Sequence, residues 1–452
     1  MLSVRGHALV GAALVLLVSV GAVLCAGVGR ARAGTWTLDG CSQPNGQPAP
    51  TDGWSTGYWA GGPTPGSGDA NTCAAPGGSL TAVSSAAGSA ASYTGPEWIF
   101  NAPGGETIAG GSVTASLTSP QGQAWIGTPE AGYDGADVIV NCQLNGPCGA
   151  NGTRSGTFAI DHPGGTAIYA PALCVDFSSP TCPLGGGVDA QVSITQSLIE
   201  LSVDATPTAT NFRGTLLARR ARGAAELVFT ASDPMAIGGF GPGVYGVTVQ
   251  IDGTTVYSGV PNTHRGECAP LGTDAATGGL LFDHAQPCAP VARVTIPVPT
   301  AGLSDERHRL TVTESDAAGD TATVLSRSIT TFNPVISPRP RRRGEVDARL
   351  AVGWTFAGSR TRVHSVSARA LPSGGMVSAA CAGPRCPRLH PHTVSVRRVG
   401  RLWSALKRVT LHAGDRLDVT IRAPRRRPEP IEFRIRAGQQ PTVRLLSAAE
   451  LR

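Results

Sequence analysis

Ten cysteines follow the first thirty-three residues, and they fall into five pairs of near neighbours: Cys41/Cys73, Cys142/Cys148, Cys174/Cys182, Cys268/Cys288 and Cys381/Cys386. An even set of this kind, behind an apolar N-terminal stretch, reads as a disulfide framework formed in an oxidising space outside the cytoplasm. The short spacings imply that each crosslink closes inside one module and does not join neighbours. In the chain-entropy account each bridge contributes about 2–4 kcal/mol, and less for a loop as short as Cys142–Cys148.

The stretch from Ala8 to Gly29 is almost wholly apolar, is preceded by Arg5 and His7, and runs into Ala31-Arg32-Ala33. Small residues at alternate positions there predict signal-peptidase cleavage that leaves Gly34 first. The competing reading is an uncleaved anchor, since about 20 apolar residues also span a bilayer. Leu24 occupies the place before Cys25 where a lipoprotein needs a small residue. Residues 1–33 are therefore expected to export the chain to the cell surface or the medium, and any membrane contact is expected through this segment alone.

The formal net charge of +6 hides a division. Residues 1–337 carry 13 Arg against 24 acidic groups (−11), whereas residues 338–452 carry 24 Lys plus Arg against 7 acidic groups (+17). In an exported protein a basic end module suits an anionic partner such as a wall polymer, and its plainer role is a solvated surface. Aromatics are sparse beside Arg341-Arg342-Arg343 and Arg425-Arg426-Arg427, so bases would find no stacking platform and specific nucleic-acid binding is not expected.

Short apolar runs ending in Gly, Pro, Asn or Asp recur about every ten residues, and this spacing predicts an all-β chain. We divide it into a front module at 34–217, a middle module at 218–332, an extended Pro/Arg linker at 333–345, and a basic module at 346–452. The front module has about ten strand-like runs, among them Glu97 to Phe100, Ser112 to Leu117 and Ala190 to Val203. Such a count fits two packed sheets, a jelly-roll-like sandwich. Its order of elements resembles concanavalin-like lectin and glucanase domains, which implies carbohydrate recognition or hydrolysis.

In the middle module, Phe229 to Asp233 reads FTASD, Val249 to Val256 reads VQIDGTTV with a hairpin turn at Asp252-Gly253, and His308 to Ala322 reads HRLTVTESDAAGDTA. These stretches resemble bacterial immunoglobulin-like domains of secreted and surface proteins, and the insert between Cys268 and Cys288 suits that family. The resemblance implies a β-sandwich and is nearly silent on function. The basic module resembles the small β-sandwich that ends secreted actinobacterial-type chains; Arg416 to Ile421 and Phe433 to Arg436 alternate as a sheet with one wet face would.

Trp54, Tyr58 and Trp59 form the densest aromatic cluster and are the expected ligand-binding residues, with Asp52, Asp69 or Asn71 to meet sugar hydroxyls. Trp36, Trp98 and Trp125 read as core. Hydrolysis would need two carboxyl groups facing each other about 5–10 Å apart. Glu97, Glu106, Glu130, Asp134, Asp137 and Asp176 occur singly, so no catalytic residue is assigned. Cys381, Cys386, His390 and His392 have irregular spacing for zinc, and the cysteines are expected as a hairpin disulfide; no metal or cofactor is expected. The best reading is an exported, non-enzymatic protein that binds a glycan or cell-wall polymer. The alternatives are a secreted glycan hydrolase and a structural stalk.

Overall fold

The structure, a computed structural model, describes residues 34–452 apart from 60–66, 86–89, 105, 129–137, 144–147, 149–151, 162, 177–178, 183–186, 235–240, 276–277, 339–343, 345, 387–391, 396–397, 447–449 and 451–452. The apolar N-terminal segment, Glu130, Asp134, Asp137, His390 and the Arg341–Arg343 run thus lie outside the described residues. The chain is all-β, with sheets packed in pairs as sandwiches.

The five disulfides are Cys41–Cys73, Cys142–Cys148, Cys174–Cys182, Cys268–Cys288 and Cys381–Cys386, the pairing the spacing implied. Their placement differs from a uniform stapling of sandwiches. Cys182 belongs to neither main sheet of the front module: Thr181–Cys182 pairs with Ala90–Ala91 as a separate two-stranded ribbon, Cys182 opposite Ala90. There Cys182 and Cys174 are buried with Ala90 in a small cluster of their own. The bridge closes inside the front module, as the spacing implied, and ties the ribbon to the end of Ala167–Leu173, because two-residue strands bury too little to hold themselves.

The front sandwich packs a five-stranded sheet against an eight-stranded one. The smaller sheet has the order Trp54–Trp59, Gly95–Asn101, Ala167–Leu173, Gln123–Gly127, Val138–Gln143. Alternation drives it: Trp98 and Phe100, Ala124 and Ile126, and Val140 and Cys142 all turn into the core between the sheets. The larger sheet is built on the 14-residue strand Ala190–Val203. Val192 and Ile194 face inward, a bulge between Ile194 and Gln196 shifts the phase, and Ile199, Leu201 and Val203 face inward again. One extra residue at that point keeps both halves buried on the same face.

Gly34–Gly40 lies beside this long strand, antiparallel in register from Gly34 opposite Val203 to Gly40 opposite Ser197. Its other edge is taken by Leu280–Phe282, paired in parallel with Trp36 opposite Leu280 and Leu38 opposite Phe282. These residues belong to the insert braced by Cys268–Cys288, so the insert completes the front sheet and does not merely decorate the middle module. Phe282 and Trp36 meet edge to face at 6.1 Å, and both are buried. Polar bonds secure the insert from outside: Ala285 N–H donates to Asp52 Oδ2 (3.1 Å), Gln43 Nε2 to Asp283 Oδ2 (3.0 Å) and Thr37 Oγ1 to Asp274 Oδ2 (3.2 Å). The insert thus pairs across the boundary drawn in sequence between 34–217 and 218–332, while its Cys268–Cys288 bridge stays inside one module. An edge strand left bare would expose unpaired amides, and the insert covers that edge.

The middle sandwich has sheets of three and four strands. The three are Thr208–Arg213, Ala224–Ser232 and Val291–Pro299; the four are Thr254–Gly259, Val244–Ile251, Arg307–Asp316 and Thr321–Thr330. Thr208–Arg213 pairs with Ala224–Ser232, so this strand belongs to the middle sheet and not to the front module where the sequence reading put it.

The expected solvated linker is also corrected over residues 333–338. Val335–Ile336 pairs with Arg349–Ala357, and Ser337 is buried and bonded both ways to Leu350. Asn333 Nδ2 donates to Thr300 O (2.8 Å), and Gly223 N–H donates to Asn333 Oδ1 (2.6 Å). Buried Asp305 accepts from Asn333 N–H and from Trp354 N–H (2.9 Å), tying the middle sandwich to the basic one.

The basic sandwich packs sheets of four and five strands around Trp354 and Phe433. One of its strands is His392–Ser395, and Val399–Leu406 is a helix that buries Leu402 and Leu406. Spacing of i, i+3 and i+7 over Val399, Leu402 and Leu406 makes one apolar helical stripe.

Replacing Phe282 by Ala removes the ring that seals the shared edge. We expect a loss of about 3–5 kcal/mol in denaturant unfolding, with faster amide exchange in Gly34–Gly40. A loss below about 1 kcal/mol would mean the insert only lies against the surface.

Candidate functional site

The predicted aromatic platform divides between two faces. Trp54 and Trp59 are an odd number of positions apart on one strand, so their side chains leave opposite sides of the sheet. Trp54 is a core residue: its indole N–H donates to Ser197 Oγ (3.1 Å) and its ring packs edge-on to Phe100 at 5.5 Å. Its assignment to ligand contact is corrected on that ground. Tyr58 is 46% exposed and leaves the sheet on the side opposite Trp59. Asp52 holds the insert, with His284 Nδ1 also 3.3 Å from its Oδ2, and Asn71 bonds Thr51 and the Cys73 amide. Asp69 is exposed on Gly68–Asn71.

Trp59 instead joins residues on the outer face of the five-stranded sheet. Its ring meets Trp125 at 5.1 Å and Tyr169 at 5.8 Å, both edge to face. Leu173, Val175 and Val138 pack around this cluster. Trp125, expected in the core, is buried here in a satellite cluster on the far side of the sheet. Tyr169 lies two strands from Trp59, so the Trp59 indole reaches across Gly95–Asn101, the strand that carries Glu97.

Glu97 sits opposite Gly57 and Pro171 on that same outer face. A Cβ at position 57 would fall 3.0 Å from Glu97 Oε1 and 2.9 Å from Ile99 Cδ1, so glycine leaves the room into which the carboxyl folds. Glu97 is 4% exposed, and its Oε2 has no hydrogen-bond partner. Burial alone pushes its carboxyl up to about 7. A neutral acid among aromatic rings can donate a hydrogen bond, and an ionised one could not remain there without a partner.

Sequence reasoning named Glu97 only as a solitary carboxylate and left Tyr169 out. The signal was present in Gly95–Asn101: Trp98 and Phe100 fill the core, so Glu97 and Ile99 must share the other face, and Gly57 opposite leaves it space. What joins Trp59 to Trp125 and Tyr169 is sheet order, which no local pattern states.

In the basic module the wet face is as the alternation implied, with Leu417, Val419 and Ile421 buried between outward residues. Its arginines are partly engaged: Arg444 Nε donates to Glu432 Oε1 at 2.9 Å, and Arg434 and Arg416 lie 3.4 Å and 3.8 Å from the same carboxylate. The Arg444 hydrogen bond, aided by the other two charges, holds Glu432 below the usual glutamate range.

No family model matches the chain, and no curated protein does. Among solved structures it is similar to the Spr0440 glycoside hydrolase domain, Endo-D, from Streptococcus pneumoniae R6, at 11% identity over 66% of this chain and 43% of that one. The TM-score is 0.16, a likeness too slight to carry an argument about fold or chemistry.

The pH dependence of Glu97 follows from its raised value. Its folded form favours the proton more than the unfolded chain does, so its contribution is complete below the unfolded value and is lost as pH rises through about 7. Glu97→Gln should therefore raise the melting temperature relative to wild type at about pH 8 and leave no such gain at about pH 4. A gain of equal size at both pH values would show that the carboxyl is not held neutral.

Proposed function

We propose that this chain is an extracytoplasmic, multi-domain β protein whose front sandwich binds a glycan or wall polymer on the outer face of its five-stranded sheet. Five disulfides support the oxidising location, and among the described residues no helix is long and apolar enough to cross a membrane. The observation that carries the binding reading is the Trp59–Trp125–Tyr169 cluster with Glu97 beneath it. Of these rings Trp125 is fully buried while Trp59 and Tyr169 keep partial exposure, so the latter two would meet a sugar face. The neutral Glu97 would donate to a hydroxyl or ring oxygen. Basic residues of the last sandwich would add an electrostatic hold on an anionic surface, and the middle sandwich would set the distance between the two.

A second reading draws on Glu97. A carboxylic acid protonated near neutral pH is what glycoside hydrolysis requires of its general acid. That reading further requires a second carboxyl group about 5–10 Å away. Among the described residues no other charge contributes to the Glu97 value.

Retention of the full chain on purified wall glycans tests both readings. Trp59→Ala is expected to cut retention about tenfold, the scale of one lost aromatic contact of about 1–1.5 kcal/mol. Unchanged retention would remove the outer face from consideration. Trp54→Ala should instead lower stability, because it empties core space. Retention by the basic sandwich should fall as salt rises through about 0.15–1 M, and salt-independent retention would rule out the electrostatic component. Release of reducing ends by wild type, lost in Glu97→Gln while binding persists, would replace the binding reading by the hydrolytic one.

A further inference from the structure

Where the front and middle sandwiches meet, several acidic side chains gather with no basic side chain among the groups that act on them. Glu106 precedes Thr107–Thr118, Asp204 follows Ala190–Val203, Asp233 follows Ala224–Ser232, Glu314 and Asp316 end Arg307–Asp316, and Asp320 follows in the next turn. Glu106, Asp233, Glu314 and Asp316 are each at most 1% exposed. Both carboxyl oxygens of Glu314, Oδ2 of Asp316 and Oε2 of Glu106 have no hydrogen-bond partner. The Ser232 amide favours charge on Glu314 but makes no hydrogen bond of ordinary geometry to it. Burial first, and then repulsion among neighbours, pushes Glu106, Glu314 and Asp316 up to about 8. Like charges buried together are destabilising unless something positive joins them.

One nitrogen that can become positive reaches this place. Gly34 N donates to Asp320 Oδ2 at 3.2 Å, and the Asp320 amide donates in turn to Asp316 Oδ1 at 2.9 Å. Gly34 is seated by its pairing with Val203, next to Asp204, which also acts on Asp320. A Cβ at position 34 would lie 2.8 Å from both Ala318 O and Asp320 Oδ2, so a residue without one lets the nitrogen come this close. The same Gly34 directly follows Ala31-Arg32-Ala33, the small-x-small sequence at which export cleavage is expected.

We infer that cleavage after Ala33 frees the Gly34 nitrogen as an α-ammonium that serves as the counter-charge of this buried acidic junction, so that maturation of the chain completes the fold. The inference rests on the export reading of residues 31–33. In the step, water adds across the Ala33–Gly34 peptide bond under a signal peptidase. Ala33 leaves with a carboxylate, and Gly34 keeps an amine that takes up a proton, its ordinary value being about 7.7–8.0. Beside Asp320 that proton is held more firmly, and the ammonium in turn draws Asp320 and Asp316 toward their charged forms. A divalent cation is the rival counter-charge. Among the described residues no three such side chains are spaced to hold a metal ion, which favours a charge delivered by the chain itself.

The test compares three forms of the chain at 34–452: free Gly34 amine, carbamoylated Gly34, and Ala33 retained as one extra residue, each also as Asp320→Asn. With Lys407 as the single lysine, amine-directed chemistry has only two targets, and its rate at each is readable by mass. Blocking or extending the terminus should lower the melting temperature by about 3–6 °C at neutral pH, the shift of a tenfold loss in folding equilibrium. The difference should shrink as pH falls and the carboxyls take up protons, and should drop to under about 1 °C in Asp320→Asn. The Gly34 amine should also react several-fold more slowly in wild type than in Asp320→Asn, with Lys407 unchanged. Equal melts for all three termini, an undiminished difference in Asp320→Asn, or calcium that stabilises all forms alike would overturn the inference. An exported chain whose mass gives a first residue other than Gly34 would overturn the maturation step independently of the melts.

Discussion

The parallel pairing of Leu280–Phe282 with Gly34–Gly40 is the constraint on which the front and middle of this molecule depend. A parallel partner cannot be reached by a tight turn, and here the connection runs through the rest of the front sandwich and the first four strands of the middle one. The Cys268–Cys288 bridge fixes the insert's two ends 4.5 Å apart at their Cα atoms. Once seated, the insert turns an edge strand into an interior one and places Phe282 over Trp36. The hydrophobic core of the front sandwich then extends through Phe282, Cys268 and Cys288 to Ala317 and Ala318 of the middle module.

Fusion of this kind gathers buried acids at the junction. Glu314 and Asp316 continue the inward phase of Leu310 and Val312 along Arg307–Asp316, so their own strand turns them in, and the docked front sandwich brings Glu106 up beside them. The other joint follows a different rule. Asp305 and Asn333 are held there by backbone amides and carbonyls, so the middle-to-basic connection rests on satisfied polar groups. The Pro/Arg composition of that segment gave no hint of this, because an amide that completes a sheet edge looks no different in sequence from one that meets water.

Much of the fold was legible because its causes are local. Disulfide pairs lay close along the chain, strand alternation persists over Ala190–Val203 despite its bulge, and Asp252-Gly253 marks its hairpin where φ of 51° and 79° call for such residues. Pairing was easier to read than placement: Cys174 and Cys182 are eight residues apart, yet nothing local says that Cys182 sits on a ribbon outside the main sheets. The candidate site was legible only by halves. Trp59 stood out in an aromatic cluster, yet Trp54 looked equivalent until strand phase put it in the core. Tyr169 and Trp125 carry no mark of belonging with Trp59, since they sit on strands that share its sheet and are distant in the chain.

By itself the sequence determined the all-β class, the disulfide framework and the charge division, since each depends on composition and spacing over a few residues. Only the tertiary structure decided which strand completes which sheet, which face Glu97 shares with the aromatic rings, and which acids are stripped of water at the junction. The physical reason is that burial and sheet order are set by contacts between residues far apart in the chain. Their energies rest on what docks against them, which no local periodicity records.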